Sequence, residues 1–220
     1  MKNHLTLTTL LFLIVTKSFA QNKTPEEFIP EGYVLFEKSF GDLNSDGVED
    51  CILLIKKIDS ANIVQDEYRG ELDRNRRGII LLLKNKDTYT VAVKNYDCFS
   101  SENEDGGVYY APELSVYANK SKLYVEYAHG RYGFWKYTFR YQNSDFELIG
   151  YDASSNYGPV INTETSINFS TKKKLTRKNT NEEADSGEEV FKETWSKVEI
   201  EALQKLSEIK DFDELSVHDY

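Results

Sequence analysis

The sequence contains few of the residues on which nucleophilic and zinc catalysis usually depend. Its 220 residues include three histidines and two cysteines. It has no G-x-S-x-G element and no H-E-x-x-H pair, the motifs of serine hydrolases and zinc proteases. His4 and His218 lie near the chain ends, and His129 precedes Gly130, which is typical of a turn. These absences argue against a Ser-His-Asp hydrolase and a histidine-ligated zinc enzyme.

Positive charge is also scarce, with 27 Lys and Arg residues against 37 Asp and Glu residues and a net charge of −10. An acidic chain repels phosphate backbones and anionic membranes and attracts cations. We therefore expect no nucleic-acid partner. The basic clusters 73–78 and 172–178 are expected to be solvated loop and edge-strand faces, with a polyanion-binding patch as the alternative.

Long apolar segments are missing beyond the N-terminus, where an apolar run from Leu5 to Val15 follows Lys2. This run is short for a membrane span, and it ends in Ser18-Phe19-Ala20, a pattern typical of signal-peptidase cleavage. We interpret residues 1–20 as a signal peptide and expect residues 21–220 to be exported, to the periplasm or beyond, without membrane insertion. Gln21 rather than cysteine follows the cleavage site, which argues against a bacterial lipid anchor.

The remaining chain is rich in strand patterns. "CILLIKK" (51–57) and "GIILLLKN" (78–85) are continuous apolar runs, typical of central strands covered on both faces. Further strand-like segments are separated by turn residues; they are 88–98, 113–120, 122–130, 132–142, 145–152 and a short hairpin over 165–178. The sequence therefore predicts a mostly β fold, an antiparallel meander of hairpins in a single domain over 21–220.

Helical structure is expected only near the two ends of the domain. Thr24 followed by Pro25 is typical of an N-cap and first helical position, which predicts a short N-terminal helix. The polar segment 179–189 predicts a mobile loop. The segment 190–198 is ambiguous, because its apolar residues and those that follow also recur at helical spacing. We expect a strand into Trp195, followed by one or two helical turns.

The two cysteines are compatible with an exported disulfide. In a simple meander of 51–57, 78–85 and 88–98, however, Cys51 and Cys98 lie at opposite ends. Seven strand residues span roughly 20 Å, whereas a disulfide needs its Cα atoms within about 7 Å. The bridge is therefore the less favoured alternative.

Oxygen-bearing side chains are concentrated in "GDLNSDGVED" (41–50), directly before an apolar strand. Alternate positions can surround a hard cation such as calcium, which prefers six to eight oxygen ligands, and Gly47 permits the sharp turn this requires. The expected ligands are Asp42, Asn44, Asp46 and Asp50 through their side chains and Val48 through its carbonyl. The alternative is an Asx-rich turn that binds no ion tightly.

The pattern D-x-[DN]-x-D-G-x-x-D between two strands resembles the calcium loop of FG-GAP repeats, as in the propellers of integrin α-subunits and in secreted bacterial repeats. An EF-hand differs, because it needs an acid where Leu53 stands and helices on both sides. The motif occurs once, and "SENEDGG" (101–107) has the wrong spacing and is expected to be an exposed turn. The resemblance implies the same five calcium ligands in a secreted bacterial β-protein, but not a complete propeller.

One strand, 132–142, is rich in aromatic residues. Trp135, Tyr137, Phe139 and Tyr141 share one face, which predicts core packing, with a sugar-stacking platform as the alternative. We expect a non-catalytic domain, stabilised by one structural calcium ion, that binds a protein or a glycan. The alternative is a carbohydrate-active hydrolase with a pair of carboxylates, which the many acidic residues permit.

The signal-peptide interpretation predicts that the mature protein begins at Gln21, within about two residues. N-terminal sequencing of protein recovered from the exported fraction measures this start directly. An exported protein that retains Met1 would show that the interpretation is wrong.

Overall fold

The computed structural model describes residues 23–106, 109–215 and 217. The proposed signal peptide and His218 lie outside these residues. The described chain is mostly β, as predicted, and its strands pair antiparallel. The strands are β1 (Tyr33–Gly41), β2 (Asp50–Lys57), β3 (Ile63–Asp66), β4 (Gly70–Asp73), β5 (Arg77–Asn85), β6 (Thr88–Phe99), β7 (Asp105–Gly106), β8 (Tyr109–Tyr110), β9 (Glu113–Asn119), β10 (Lys122–Ala128), β11 (Gly133–Gln142), β12 (Asp145–Tyr157), β13 (Val160–Asn168), β14 (Lys173–Asn179) and β15 (Phe191–Lys197).

The strands form two principal sheets. Four strands pair in the order β1-β2-β5-β6, and seven pair as a continuous meander from β9 to β15. Two short hairpins, β3–β4 and β7–β8, project from the connections. Short 3₁₀ turns cover Pro25–Phe28, Ser60–Asn62, Gly130–Tyr132 and Leu206–Glu208. In the part of the chain that the structure describes, no helix is long and apolar enough to cross a membrane.

The two continuous apolar runs become the central strands β2 and β5, and both faces of these strands are buried. Ile52 and Leu54 point into the main core, which the smaller sheet shares with the larger one. Cys51, Leu53 and Ile55 point to the opposite face, where side chains of the N-terminal segment and of β6 cover them. Burial on both faces explains why these strands show no alternation of polar and apolar residues.

The aromatic strand is β11, an interior strand of the larger sheet between β10 and β12. Tyr137 and Phe139 are buried in the main core, and Trp135 and Tyr141 are partly buried against it. The pairing of β11 with β12 shifts register between Thr138 and Phe139. The structure therefore supports core packing for this row of rings.

The two chain ends contain less helix than expected. Segment 191–197 is an edge strand, which confirms the expected strand into Trp195, and Trp195 is 64% exposed. The one or two helical turns expected after it reduce to the single 3₁₀ turn Leu206–Glu208, and the N-terminal helix is likewise a 3₁₀ turn, Pro25–Phe28. The apolar residues after β15 are buried without forming a helix, among them Leu206, Ile209 and Phe212.

Both cysteines are buried free thiols. Cys51 pairs with Leu82 in the register of β2 and β5, whereas Cys98 precedes Phe99, which pairs with Arg77 at the other end of β5. They also belong to different core clusters. The meander argument against a bridge therefore agrees with the structure.

The polar loop between β14 and β15 is closed by hydrogen bonds from its own side chains. The Asn179 side-chain oxygen accepts the N–H groups of Asn181 (2.9 Å) and Val190 (3.1 Å), and the Asn181 amide donates to the Glu188 carbonyl (3.0 Å). The loop therefore joins the two strands as a hairpin, and its mobility stays a prediction.

Substitution of Phe139 by alanine is expected to destabilise the fold by about 3–5 kcal/mol, because this fully buried ring would leave a cavity in the main core. The control is Arg140→Ala in the neighbouring exposed position, which should change the free energy of unfolding by no more than about 0.5 kcal/mol. Chemical denaturation of both variants measures the difference. Equal stabilities would contradict the assignment of Phe139 to the core.

Candidate functional site

Residues 42–49 form the acidic loop between β1 and β2. The Asp42 carboxylate accepts the N–H groups of Ser45 (2.7 Å) and Gly47 (3.3 Å). Asp46 accepts the Val48 N–H (2.8 Å) and the side-chain amide of Asn44 (2.8 Å). Ser45 and Gly47 have positive φ angles of 68° and 80°, the latter an easy conformation for glycine. The loop is thus a succession of tight turns organised by its own carboxylates.

Asp50 begins β2 and is completely buried. Its two carboxylate oxygens accept the N–H groups of Leu43 (2.8 Å) and Lys84 (2.9 Å), which connects the loop to the end of β5. Burial raises the pKa of Asp50, these hydrogen bonds oppose the increase, and the charges of Asp46 and Asp42 add to it. Repulsion among the carboxylates of Asp42, Asp46 and Asp50 therefore lowers the stability of the loop when no cation is bound.

The acidic loop also contacts the larger sheet. The Ser121 hydroxyl, in the turn between β9 and β10, donates to the Asp42 carboxylate (3.2 Å). At the base of the loop, a Cβ on Gly41 would lie 2.6 Å from the Ala118 Cβ, so a larger residue does not fit without a shift. Burial acts to raise the pKa of Asp42, but hydrogen bonds from Ser45, Gly47 and Ser121 outweigh it and the pKa is lowered. No motif in the sequence predicts the contact between Ser121 and the acidic loop.

The donors of the acidic loop are of the kind that calcium prefers. Asp42, Asp46 and Asp50 take part in no salt bridge within the described residues, so no cationic side chain neutralises them there. Their oxygens point to N–H groups rather than to one shared point, and the described part of the chain contains no cluster of three His, Cys, Asp or Glu side chains that could hold a metal. The residues therefore fit calcium in chemistry, and ligation requires their oxygens to turn inward.

A cavity of about 700 Å³ lies against strands β10 to β13 of the larger sheet, where the connection between β6 and β9 and the C-terminal segment form its other walls. Ser121, which contacts the acidic loop, directly precedes β10. Tyr127, near the end of β10, belongs to the cavity wall. At about 3.3 Å per residue, the acidic loop and the cavity are roughly 20 Å apart. His129 lies in the turn that joins β10 to β11, as predicted, before the 3₁₀ turn Gly130–Tyr132.

Aromatic rings form much of the cavity wall. They belong to Tyr127, Trp135, Tyr137, Tyr151 and Phe212, whereas the Phe134 ring lies beneath Lys136. Tyr127 and Trp135 are stacked with ring centroids 5.2 Å apart, and Phe212 packs edge-on to Tyr137 at 5.1 Å. Because these contacts hold the rings against each other, the wall is preorganised. The sequence predicted the rings of β11, but not the contribution of Tyr127, Tyr151 and Phe212.

One polar atom in this wall lacks a protein partner. Tyr127 is 3% exposed, and its hydroxyl has no hydrogen bond within the described residues. Burial raises the pKa of Tyr127, and the negative charge of Asp213 raises it further. The hydroxyl is therefore neutral and able to donate. Buried polar groups are normally paired, so the unpaired hydroxyl is an exception, and it is enclosed by the surrounding side chains.

Four carboxylates line the cavity. Asp105 is paired with Arg74 (2.7 Å), and Glu104 accepts the Ser101 hydroxyl (2.7 Å). Asp213 and Glu214 are exposed at the rim and form no salt bridge within the described residues. Segment 101–107 was expected to be an exposed turn; its described part turns at Glu102–Asn103 and enters β7, Ser101 is buried, and Glu104 and Asp105 line the cavity.

Arg77 lies behind the cavity and is almost fully buried, which corrects its assignment to a solvated face. Its Nε donates to the Ser100 carbonyl (2.9 Å) and lies 3.9 Å from the Glu102 carboxylate. Burial lowers the pKa of Arg77, while the charges of Glu102 and Asp213 oppose the decrease. The described lining itself contains no Lys, Arg or His side chain. The cavity is therefore suited to neutral or positively charged groups and unsuited to anions.

No protein-family model, curated protein or solved structure matches this chain.

Proposed function

We propose that this protein is an exported, non-catalytic β-domain that binds a glycan in the cavity against its larger sheet. The observation that carries the proposal is a cavity of about 700 Å³ with an aromatic wall, in which Trp135 is partly exposed and Tyr127, Tyr137, Tyr151 and Phe212 are almost fully buried, with hydroxyl and carboxylate groups beside them. Ligand pockets are typically about 300–1,000 Å³, with few polar groups among apolar ones. Aromatic rings can stack on sugar rings, and carboxylates accept hydrogen bonds from sugar hydroxyls. A concave site of this size favours a short glycan over the flat surface of a folded protein.

We further propose that one calcium ion stabilises the domain through Asp42, Asn44, Asp46, Asp50 and the Val48 carbonyl. The support is the set of hard oxygen donors and the uncompensated charge of the loop. The ion would neutralise the carboxylates and fix the turn before β2. The role is structural, because the loop lies roughly 20 Å from the cavity along β10.

Calcium is expected to raise the melting temperature of the wild type by about 5–10 °C relative to chelator. Extracellular sites bind with dissociation constants on the order of 10⁻⁴–10⁻³ M, and saturation at about 100 times that constant stabilises a fold by about 2.7 kcal/mol. Asp46→Ala should lose the response, because it removes a ligand. The control Glu49→Ala removes an exposed carboxylate of the same loop that is not among the expected ligands, and it should respond like the wild type.

Thermal melts in calcium and in chelator test this expectation, with calorimetric titration of the ion. Identical wild-type melts in both buffers, with no heat of binding at millimolar calcium, would leave the loop as an acidic turn without an ion.

The glycan proposal can be tested with the two tryptophans of the chain. In Trp195→Phe the remaining indole is Trp135 in the cavity wall, and in Trp135→Phe it is the exposed Trp195 on β15. Titration with neutral cello-, malto-, xylo- and N-acetylchito-oligosaccharides and with chitosan oligomers should change the fluorescence of Trp135 alone. Removing the Trp135 ring in Trp135→Leu should weaken binding about tenfold, the scale of one aromatic stacking contact.

A response from Trp195 with none from Trp135 would contradict the cavity as the site. No binding of any oligosaccharide would contradict the glycan proposal itself.

The second candidate is a carbohydrate-active hydrolase, favoured by the presence of acids beside an aromatic cavity. Such enzymes use two carboxylates that face each other about 5–10 Å apart across the sugar bond. Here Glu104 is held by Ser101 and Asp105 by Arg74, while Asp213 and Glu214 are adjacent in the chain. Release of new reducing ends in the same titration mixtures would favour the hydrolase over the binding domain.

A further inference from the structure

The charged side chains that line the cavity are all acidic. Asp213 and Glu214 lie on the C-terminal segment, line the cavity and form no salt bridge among the described residues. Arg74 is already paired with Asp105, and Arg77 is shared by Glu102, Asp213 and Glu104 from behind the wall. These arginines therefore leave negative charge at the rim. A cationic group of a ligand would neutralise the carboxylates of Asp213 and Glu214.

The aromatic wall favours a cation for an independent reason. The face of an aromatic ring is electronegative and attracts ammonium groups within about 6 Å of its centre, most strongly for tryptophan. Trp135 and Tyr127 are stacked in this wall beside the acidic rim. The same rings that can stack on a sugar can therefore also stabilise a positive charge carried by that sugar.

The unpaired hydroxyl of Tyr127 is the second observation that points to a ligand. It is buried, it belongs to a residue of the cavity wall, and it makes no hydrogen bond within the described part of the chain. A buried hydroxyl without a partner is costly, and a polar ligand atom or a bridging water can satisfy it. The hydroxyl is enclosed in this structure, so a ligand atom reaches it only when a neighbouring side chain of the wall moves.

We infer that the cavity selects a sugar with a free amino group, whose ammonium lies against Asp213 and Glu214 while its ring stacks on the aromatic wall. This inference rests on the proposed glycan function and names the class of glycan. Uncharged sugars would bind more weakly, and sugars with carboxylate or sulfate groups would be repelled.

The test compares two oligosaccharides with the same backbone, the tetramer of glucosamine and the tetramer of N-acetylglucosamine, which differ in the charge and in the acetyl group at each C2 nitrogen. Wild-type protein should bind the amino tetramer about tenfold more tightly at low salt, measured by calorimetry and by Trp135 fluorescence in Trp195→Phe. The preference should shrink as salt rises, because exposed charges are screened. The double variant Asp213→Asn with Glu214→Gln should bind both tetramers with similar affinity.

Two further variants separate charge selection from damage to the fold. Glu201→Gln removes an exposed acid on the same C-terminal segment that does not line the cavity, and it should keep the preference. Tyr127→Phe should melt at or above the wild-type temperature, because an unpaired hydroxyl is removed, yet it should bind the amino tetramer several-fold more weakly. A purely structural role for Tyr127 would change the melting temperature but not the affinity.

The outcomes distinguish this inference from the function on which it rests. Equal or tighter binding of the acetylated tetramer would overturn amino selection and leave the glycan proposal standing. Failure of both tetramers and of every neutral oligosaccharide would overturn both. A lysine-containing peptide that binds as tightly as the amino tetramer would support an ammonium site and overturn its assignment to a sugar.

Discussion

The packing of the C-terminal segment between the two sheets is the constraint on which the rest of the structure depends. Phe212 stacks on Phe99 of the smaller sheet at 4.9 Å and meets Tyr137 and Phe139 of the larger sheet edge-on. The Asn95 side chain donates to the carbonyls of Leu206 (2.8 Å) and Ile209 (2.7 Å), which satisfies irregular backbone in the interior. Apolar burial and paired backbone polar groups together allow a segment without regular secondary structure to complete the core.

That arrangement also creates the cavity. The same segment that places Phe212 in the core continues to Asp213 and Glu214 at the cavity rim. Asp211 is paired with Arg76 (2.8 Å), and the Phe212 N–H donates to the Cys98 carbonyl (3.0 Å), so the turn into the rim is held on both sides. Stability and the candidate ligand site therefore share residues, and the acids at the rim are positioned by a buried aromatic neighbour.

The acidic loop has a comparable role at the other end of the molecule. Asp50 is buried, its carboxylate is held by two backbone N–H groups, and Asp42 receives the hydroxyl of Ser121 from the larger sheet. The loop thus connects β1, β2, β5 and the turn between β9 and β10. Its unneutralised charge opposes this arrangement, which is the physical reason to expect that a bound cation would strengthen it.

Local patterns were sufficient to predict the β class, most strands and the oxygen-rich loop. The run 51–57 corresponds to β2 and the run 78–85 to β5, because strands buried on both faces are continuously apolar wherever they occur. Segment 190–198 shows the limit of such patterns. The spacing of its apolar residues is compatible with both a helix and a strand. Hydrogen bonding to β14 makes it a strand, in which Trp195 is exposed.

The sequence by itself determined the secondary-structure class and the chemistry of the acidic loop, since both depend on neighbours within about ten residues. Only the tertiary structure decided which distant residues meet. Ser121 reaches Asp42 across 79 positions, and the Asn95 amide reaches the Ile209 carbonyl across 114. The cavity is of this second kind, because its walls come from strands and a tail that no periodic pattern brings together. A fold buries whichever surfaces match in shape and polarity, and that match is absent from any short stretch of the chain.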